Sequence, residues 1–155
     1  AVLANGGDYH TPHLVKAIQN TALKTQRPTR QEPSHRIALK REHVREVTEA
    51  LEQVTLTGTA RRAFSGVQYP VAGKTGTAQL FNLKGSKYKK EDVDERLRDH
   101  SLFMGFAPSR APTIALAILV ENAGWGSEVA APIAREVFDA WILRDDGALA
   151  QSRTP

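Results

Sequence analysis

Two apolar runs of strand length, joined by a short segment that begins and ends with proline, constrain the fold of this chain most. The runs cover residues 101–107 and 113–120, and Pro108 and Pro112 bound the connection. A connection this short predicts an antiparallel hairpin. Both faces of the second run are apolar. One face carries Ile114, Leu116, Ile118 and Val120, and the other carries Ala115, Ala117 and Leu119. We therefore expect helices to cover both faces of the sheet that contains this hairpin.

Two further segments, residues 40–57 and 127–143, have the spacing of amphipathic helices that lie on a core. Their apolar side chains recur at helical intervals: Val44, Val47, Leu51 and Val54 in the first, and Ile133, Val137 and Trp141 in the second. Gly58-Thr59-Ala60 ends the first helix. Further along the chain, residues 69–73 predict a strand that continues into Lys74.

The N-terminal part of the chain has weaker patterns. Segments 9–17 and 25–34 contain prolines and polar residues, and we predict that they are connections on the surface. Residues 1–7 are typical of the last turn of an apolar helix that a glycine closes. Because the sequence starts in this way, without an initiator methionine or a signal peptide, we expect an excised or cleaved piece of a longer protein.

The composition limits the classes of function. With 155 residues the chain has the size of one domain. It contains no cysteine, which excludes disulfides, thiolate metal ligands and a cysteine nucleophile. The net charge of +4 raises the question of an anionic partner, but the basic residues 84–90 run directly into acidic ones, and aromatic residues make up only 6%. We therefore predict a solvated loop of mixed charge there and no nucleic-acid partner.

The segment 74–79, Lys-Thr-Gly-Thr-Ala-Gln, has the pattern of one wall of an acyl-serine active site. K-T-G accompanies S-x-x-K and S-D-N in β-lactamases and penicillin-binding proteins, where a serine attacks the substrate carbonyl. In a strand, Lys74 and Gly76 share one face, and Thr75 and Thr77 share the other. Gly76 lets a reacting group come close to the backbone. The triplet alone also fits a turn or a phosphate-contacting loop with a surface lysine.

Three other patterns are rejected as sites. Residues 86–89 satisfy S-x-x-K, but Gly85 precedes them and charged residues follow, so nothing would bury the serine and the lysine in a dry cavity. The five histidines show no ligand spacing, and we predict no metal site. The glycine-rich segment 121–126 is interpreted as a turn with one packed tryptophan, Trp125, rather than as a pocket.

The order of these features resembles the C-terminal part of the class B penicillin-binding proteins, and most closely their elongation type, the penicillin-binding protein 2 group. The resemblance runs over nearly all of the chain. Besides segment 74–79, its motifs are Ala4-Asn5-Gly6-Gly7, Pro12-His13-Leu14-Val15, Glu95-Arg96-Leu97-Arg98-Asp99-His100, Phe106-Ala107-Pro108 and Val120-Glu121-Asn122. It implies an α/β fold of the α+β type, with an antiparallel sheet flanked by helices. Residues 1–155 would be the C-terminal part of the transpeptidase domain and would supply the last three strands.

The resemblance also implies an activity, that of a peptidoglycan D,D-transpeptidase that β-lactams acylate. A serine would attack the D-Ala-D-Ala carbonyl of a stem peptide, and an amine of a neighbouring stem would resolve the acyl-enzyme. Lys74 and Thr77 would be catalytic, the lysine through its positive charge and the threonine through an N–H that binds the oxyanion. The substrate-binding residues would be Thr75, Gly76, Thr77, Ala78 and Gln79. No cofactor is implied.

Further parts of the machinery would lie outside this sequence. The resemblance implies that the serine of S-x-x-K and the S-x-N loop lie in an upstream half of the same protein, so the isolated chain would be inactive. An N-terminal helix would anchor the protein on the periplasmic side of the bacterial inner membrane, beside a membrane glycosyltransferase of the elongation machinery. Two alternatives stay open: a protein of the same fold that hydrolyses or senses β-lactams, and a non-catalytic module that binds cell-wall peptides.

Overall fold

The fold combines a central sheet with two helices and two small hairpin-like sheets. The computed structural model describes residues 1–22, 24–28, 35–80 and 94–144. In chain order the elements are β1 (Asp8–Tyr9), β2 (Ala17–Asn20), β3 (Thr25–Pro28), β4 (His35–Arg36), α1 (Arg41–Leu56), β5 (Ala72–Ala78), β6 (His100–Ala107), β7 (Ile114–Val120) and α2 (Ala130–Ile142). A short 3-10 helix, Glu95–Leu97, precedes β6. Among the helices of these ranges, none has the length and apolar character needed to cross a membrane.

The central sheet is antiparallel and has the strand order β5-β6-β7. Lys74 of β5 lies opposite Met104 of β6, which in turn lies opposite Ala117 of β7. The hairpin predicted from the two apolar runs is confirmed, with β6 and β7 each within one residue of the predicted bounds. The strand predicted at Lys74 is confirmed as β5.

One face of the sheet, called the core face below, packs on the hydrophobic core. It carries Phe103, which is 1% exposed and stacks on Phe64 with ring centroids 5.4 Å apart. Phe138 of α2 is fully buried, and its ring centroid lies 6.3 Å from that of Phe64. Burying each large apolar side chain contributes roughly 1.5–3 kcal/mol relative to its exposed state. These contacts hold α2 and the segment after α1 against the sheet.

The opposite face, called the groove face below, carries Lys74, Met104 and Leu119. The N-terminal residues 1–3 and Leu51 of α1 line part of it. Met104 is nevertheless 59% exposed and Leu119 57% exposed. Within the described residues, helix α1 therefore covers only part of this face, and the prediction that helices cover all of both faces stays a prediction for the longer protein. The apolar pattern of β7 indicates that neither face suits water, but it does not specify which segment covers each face.

Both predicted helices are present, and α2 is shorter than predicted. It begins three residues late, because residues 127–129 form a turn in which the backbone N–H groups of Glu128 and Val129 donate to the carbonyl of Trp125. Pro132 then lies in the first turn of the helix, where its missing N–H costs no intrahelical hydrogen bond. The Thr55 hydroxyl fastens α1 to the approach of β5, since it donates to the Val71 carbonyl at 2.7 Å.

A buried tyrosine ties α2 to the segment before β5. The Tyr69 hydroxyl donates to Asp139 Oδ1 at 2.6 Å, and Arg135 Nε donates to Asp139 Oδ2 at 2.7 Å. Arg135 also donates to the Ser65 carbonyl. Burial of Tyr69, together with its hydrogen bond to the Asp139 carboxylate and the charge there, raises the pKa of the phenol well above its ordinary value.

The N-terminal part contains more strand than predicted. Segments 9–17 and 25–34 were expected to be surface connections, the first with a short extended stretch, but β2 pairs with β3 and β1 pairs with β4, both antiparallel. The strands are short and mostly exposed, so their sequences lack the apolar alternation that predicts a strand. Their surface position agrees with the prediction, and residues 29–34 lie outside the described residues.

The glycine cap predicted near the start of the chain is confirmed. Gly6 has a φ of +66°, a left-handed conformation that glycine adopts at no steric cost. The Gly7 N–H donates to the Val2 carbonyl at 2.9 Å, and the Gly6 N–H donates to the Leu3 carbonyl at 3.2 Å. This pair of bonds is the Schellman pattern that closes a helical turn.

Candidate functional site

Strand β5 presents the predicted site residues along a sheet edge. Lys74 to Ala78 lie on the strand, and Gln79 directly follows its end. Within the described ranges, β6 is the only strand paired with β5, so no strand covers the other edge. The main-chain N–H and C=O groups of such an edge can pair with an added extended chain.

Lys74 stands exposed on the groove face. Its Nζ donates to the Thr75 carbonyl at 2.8 Å. Next to it is a groove of about 500 Å³, whose other lining residues include Met104, Phe106 and Ala117. A cation at the margin of an apolar groove attracts anionic ligands and stabilises negative charge that develops there.

Gly76 leaves room on the same face. A Cβ atom built there would lie 3.2 Å from Leu102 Cβ, and the other atom within 4 Å would be the end of that same side chain. The space above Gly76 is therefore open apart from Leu102. A group that approaches from the groove can reach the backbone of β5 at this point.

Thr75 and Thr77 alternate with these residues and so belong to the core face. Thr77 is exposed, whereas Thr75 is half-buried. The Thr75 hydroxyl lies 2.7 Å from the hydroxyl of Thr59, in the segment after α1. A ligand that lies along the edge, between the two faces, can contact the lysine from one side and the threonine hydroxyls from the other.

The loop between β7 and α2 supports β5 from the core face. Gly126 packs so closely that a Cβ atom there would lie 2.3 Å from the Gly76 carbonyl oxygen. Ser101 of β6, opposite Thr77, donates from its hydroxyl to the Trp125 carbonyl and accepts from the Ala130 N–H. The loop therefore holds β5 in place at Gly76 and Thr77, where the candidate site lies.

The same loop also holds the segment before β6. Asn122, at a φ of +53°, donates through its side chain to the carbonyls of Arg96 and Arg98. Its backbone N–H donates to Nδ1 of His100, which therefore carries its proton on Nε2 when neutral. His100 lies opposite Ala78 at the end of β5. The interpretation of residues 121–126 as a turn with a packed tryptophan is wrong in one respect, because Trp125 is 47% exposed.

Sequence reasoning did not single out Thr59, Ser101, Asn122 or Gly126 for the site. Each acts through a contact between residues distant in the chain. Asn122 and Gly126 lie in segment 121–126, which the sequence indicated only as a turn and as part of the resemblance. Gly126 offered a partial signal, since a glycine beside a sheet end is compatible with close backbone approach.

The rejected patterns fall partly outside the described residues. The S-x-x-K pattern at residues 86–89 and most of the mixed-charge loop from residue 84 lie within the range 81–93, which the structure does not describe. The end of that loop, Asp94 and Glu95, leads into the short 3-10 helix. In the ranges that it does describe, no three histidine, aspartate or glutamate side chains are grouped so that they could hold a metal ion.

Comparison with known proteins identifies the relatives of this chain. A family model, the penicillin binding protein transpeptidase domain, matches residues 1–139. A protein named peptidoglycan D,D-transpeptidase MrdA, from Haemophilus influenzae, is 37% identical over 145 residues, which are 91% of this chain and 22% of that protein. The chain thus spans about a fifth of the length of this curated relative.

Solved structures show the same likeness. Penicillin-binding protein 2 of Pseudomonas aeruginosa, in complex with WCK 5153, matches with a TM-score of 0.70 and 37% identity, over 99% of this chain and 30% of that one. Penicillin-binding protein A of Mycobacterium tuberculosis, as a ceftriaxone acyl-enzyme, matches with a TM-score of 0.71 and 26% identity, over 91% and 30%. Penicillin-binding protein 2 of Helicobacter pylori, in complex with MreC, has a TM-score of 0.54 and 24% identity over 68% and 19%, a likeness of fold alone. The predicted α+β penicillin-binding transpeptidase fold and the resemblance to the penicillin-binding protein 2 group are confirmed.

Proposed function

Because this chain belongs to the penicillin-binding protein transpeptidase domain family, we propose that it is the C-terminal part of the transpeptidase domain of a peptidoglycan D,D-transpeptidase. The observation that carries the proposal is the position of segment 74–79. The segment lies on an edge of the central sheet that no described strand covers, and Lys74 stands beside the groove. The H. influenzae relative is named for this activity, which gives the reaction its substrate class.

The reaction would proceed through an acyl-enzyme. A serine oxygen attacks the carbonyl carbon between the two D-alanines of a stem peptide, and the serine proton passes to a base. The tetrahedral intermediate collapses, the C–N bond breaks, and D-alanine leaves as a protonated amine. An amine of a neighbouring stem then attacks the ester and regenerates the serine. A β-lactam follows the first step only, because its opened ring stays attached.

The residues of β5 would supply the electrostatic part of this mechanism. The backbone N–H of Thr77 would donate to the oxyanion, together with the N–H of the serine, an interaction worth roughly 2.7–4 kcal/mol per donor. Lys74 would place positive charge beside the groove and favour the proton transfers around the serine. Neither role needs a cofactor, since the serine ester itself is the reactive intermediate.

The substrate would lie along the β5 edge as an added strand. Thr75 and Thr77 would donate their hydroxyls to its terminal carboxylate, Gly76 would leave space for the acyl group, and Ala78 and Gln79 would pair with its main chain. The steric part of this proposal is supported by the open space above Gly76 on the groove face.

The nucleophile would come from an upstream half of the same protein, which carries S-x-x-K and S-x-N. The exposed Met104 and Leu119 support this proposal, because a face with such side chains is expected to be covered in the complete protein. The isolated chain would then be inactive. The complete protein would act on the periplasmic side of the inner membrane, anchored by an N-terminal helix, and would work with a membrane glycosyltransferase that supplies glycan strands.

Intact-mass spectrometry with a fluorescent penicillin tests the proposal. We expect the full-length protein to gain the mass of one drug molecule and keep it for many minutes, and the 155-residue chain alone to stay unlabelled. Rapid loss of the adduct would instead identify a β-lactam-hydrolysing protein of the same fold. A full-length protein that never gains mass would be a non-catalytic binding module, and the proposal would have to be abandoned.

A further inference from the structure

Thr59, which lies outside the K-T-G segment, contacts the hydroxyl of Thr75, a predicted substrate-binding residue. Its Oγ1 lies 2.7 Å from Oγ1 of Thr75, a hydrogen-bond distance between two residues that are 16 positions apart. Thr59 is exposed and Thr75 is half-buried, so the pair lies at the surface beside the β5 edge.

The backbone around Thr59 is well fixed. The Gly58 N–H donates to the Gln53 carbonyl at 2.8 Å, and the Ala60 N–H donates to the Val54 carbonyl at 3.0 Å. Ala60 is fully buried in the core. Thr59 is therefore presented toward β5 by a rigid turn at the end of α1, so its hydroxyl has a defined position relative to Thr75.

The direction of the hydrogen bond decides what Thr75 can do. A hydroxyl has one hydrogen to donate and two lone pairs that accept. If Thr59 donates to Thr75, the hydrogen of Thr75 is free to point at a ligand; if Thr75 donates to Thr59, it is not. An anion beside Thr75 selects the first arrangement, because it attracts the Thr75 hydrogen and polarises the chain of two hydroxyls.

We propose that Thr59 is a positioning residue that orients the Thr75 hydroxyl toward the anionic end of the substrate, and this inference rests on the proposed function. Thr59 does not touch the ligand. It holds the Thr75 oxygen as an acceptor, so that the remaining hydrogen of Thr75 points to the carboxylate of a stem peptide or a β-lactam. The pair thereby favours ligands that carry a negative charge at that end.

The test is a set of variants of the full-length protein, read out as the second-order rate constant of acylation. Thr59→Val keeps the shape of the side chain but removes the hydroxyl, and we expect about a three- to tenfold slower reaction with benzylpenicillin, the range for one hydrogen bond. With the methyl ester of benzylpenicillin, which lacks the anion, we expect the same variant to react as fast as the wild type. Thr59→Ser, which retains a hydroxyl, should recover most of the lost rate.

A double substitution separates positioning from a general effect on the fold. If Thr59 acts through Thr75, the variant with both Thr59→Val and Thr75→Val reacts with benzylpenicillin no more slowly than Thr75→Val alone. Losses that multiply, or an equal loss with the ester, would overturn the inference. A wild type that benzylpenicillin does not acylate would remove the proposed function and this inference together, whereas an acylated wild type with an unchanged Thr59→Val variant would remove only the inference.

Discussion

Gly126 lies against the backbone of Gly76, so that the loop before α2 and the strand of the candidate site are in direct main-chain contact. A Cβ atom at position 126 would be 2.3 Å from the Gly76 carbonyl oxygen and 2.4 Å from that of Leu102. Real Cβ atoms do not approach carbonyl oxygens this closely, and the obstacle is backbone in both cases. The absence of a side chain at 126 is therefore a condition for the observed position of β5.

We expect Gly126→Ala to destabilise the protein and to displace β5. Overpacking of this kind costs about 1–3 kcal/mol, because the backbone must shift to admit the methyl group. The thermal unfolding midpoint of the full-length protein measures the effect. Glu128→Ala, at an exposed position of the same turn, is the matched control and should leave the midpoint close to that of the wild type. Equal midpoints for both variants would mean that the loop accommodates a side chain.

In contrast to Gly126→Ala, we expect Gly76→Ala to change the stability little and to slow acylation strongly. The new methyl group would be 3.2 Å from Leu102 Cβ, a contact that a shift of a few tenths of an ångström relieves, so we expect a small change in the unfolding midpoint. The methyl group would project into the space that the acyl group is proposed to occupy. Acylation by a penicillin should fall at least about tenfold, which corresponds to about 1.4 kcal/mol of transition-state stabilisation. Normal acylation with a normal midpoint would show that this face of β5 does not meet the substrate.

Lys74→Ala tests the electrostatic role of the groove lysine. The side chain is exposed and its hydrogen bond goes to the neighbouring Thr75 carbonyl, so its removal should leave folding intact. We expect acylation of the full-length protein by a penicillin to slow by about a hundredfold or more, the scale for loss of one group that stabilises developing charge. Lys16→Ala, at another exposed lysine, controls for the loss of one positive charge. An unchanged labelling rate in Lys74→Ala would contradict the assigned role.

The sequence predicted the central hairpin well, because its information is local. Two apolar runs joined by a five-residue connection with a proline at each end strongly favour an antiparallel hairpin. Each observed strand differs from the predicted one by one residue at one end. The K-T-G segment could also be recognised from the sequence, because its residues are consecutive. Its position on a sheet edge that no strand of the described residues covers, however, follows from the strand order, which the sequence alone does not contain.

The contacts that support the site were beyond sequence reasoning for a physical reason. The hydroxyl pair of Thr59 and Thr75 and the contact of Gly126 with Gly76 join segments that only the packing of the core brings together. Single polar residues and glycines have many local explanations, and nothing in their immediate neighbours distinguishes a distant contact. The segment that covers the rest of the groove face could not be predicted either, because an apolar pattern shows that a surface is unsuited to water but does not specify which segment packs on it.

Tyr69→Phe should weaken the attachment of α2 and change how stability depends on pH. At neutral pH we expect a loss of about 1.5 kcal/mol in the free energy of unfolding, since the phenol donates to a carboxylate. The pKa of Tyr69 is raised in the folded state by burial and by Asp139, so the unfolded chain releases this proton first. The stabilising contribution is therefore complete below about pH 10, the ordinary pKa of tyrosine, and declines as the pH rises through the interval between the unfolded and folded pKa.

Denaturant unfolding from pH 7 to pH 11 measures this dependence. The difference in the free energy of unfolding between the wild type and Tyr69→Phe should shrink above about pH 10. A difference that stays constant over this range would mean that Tyr69 ionises as readily in the folded protein as in the unfolded chain.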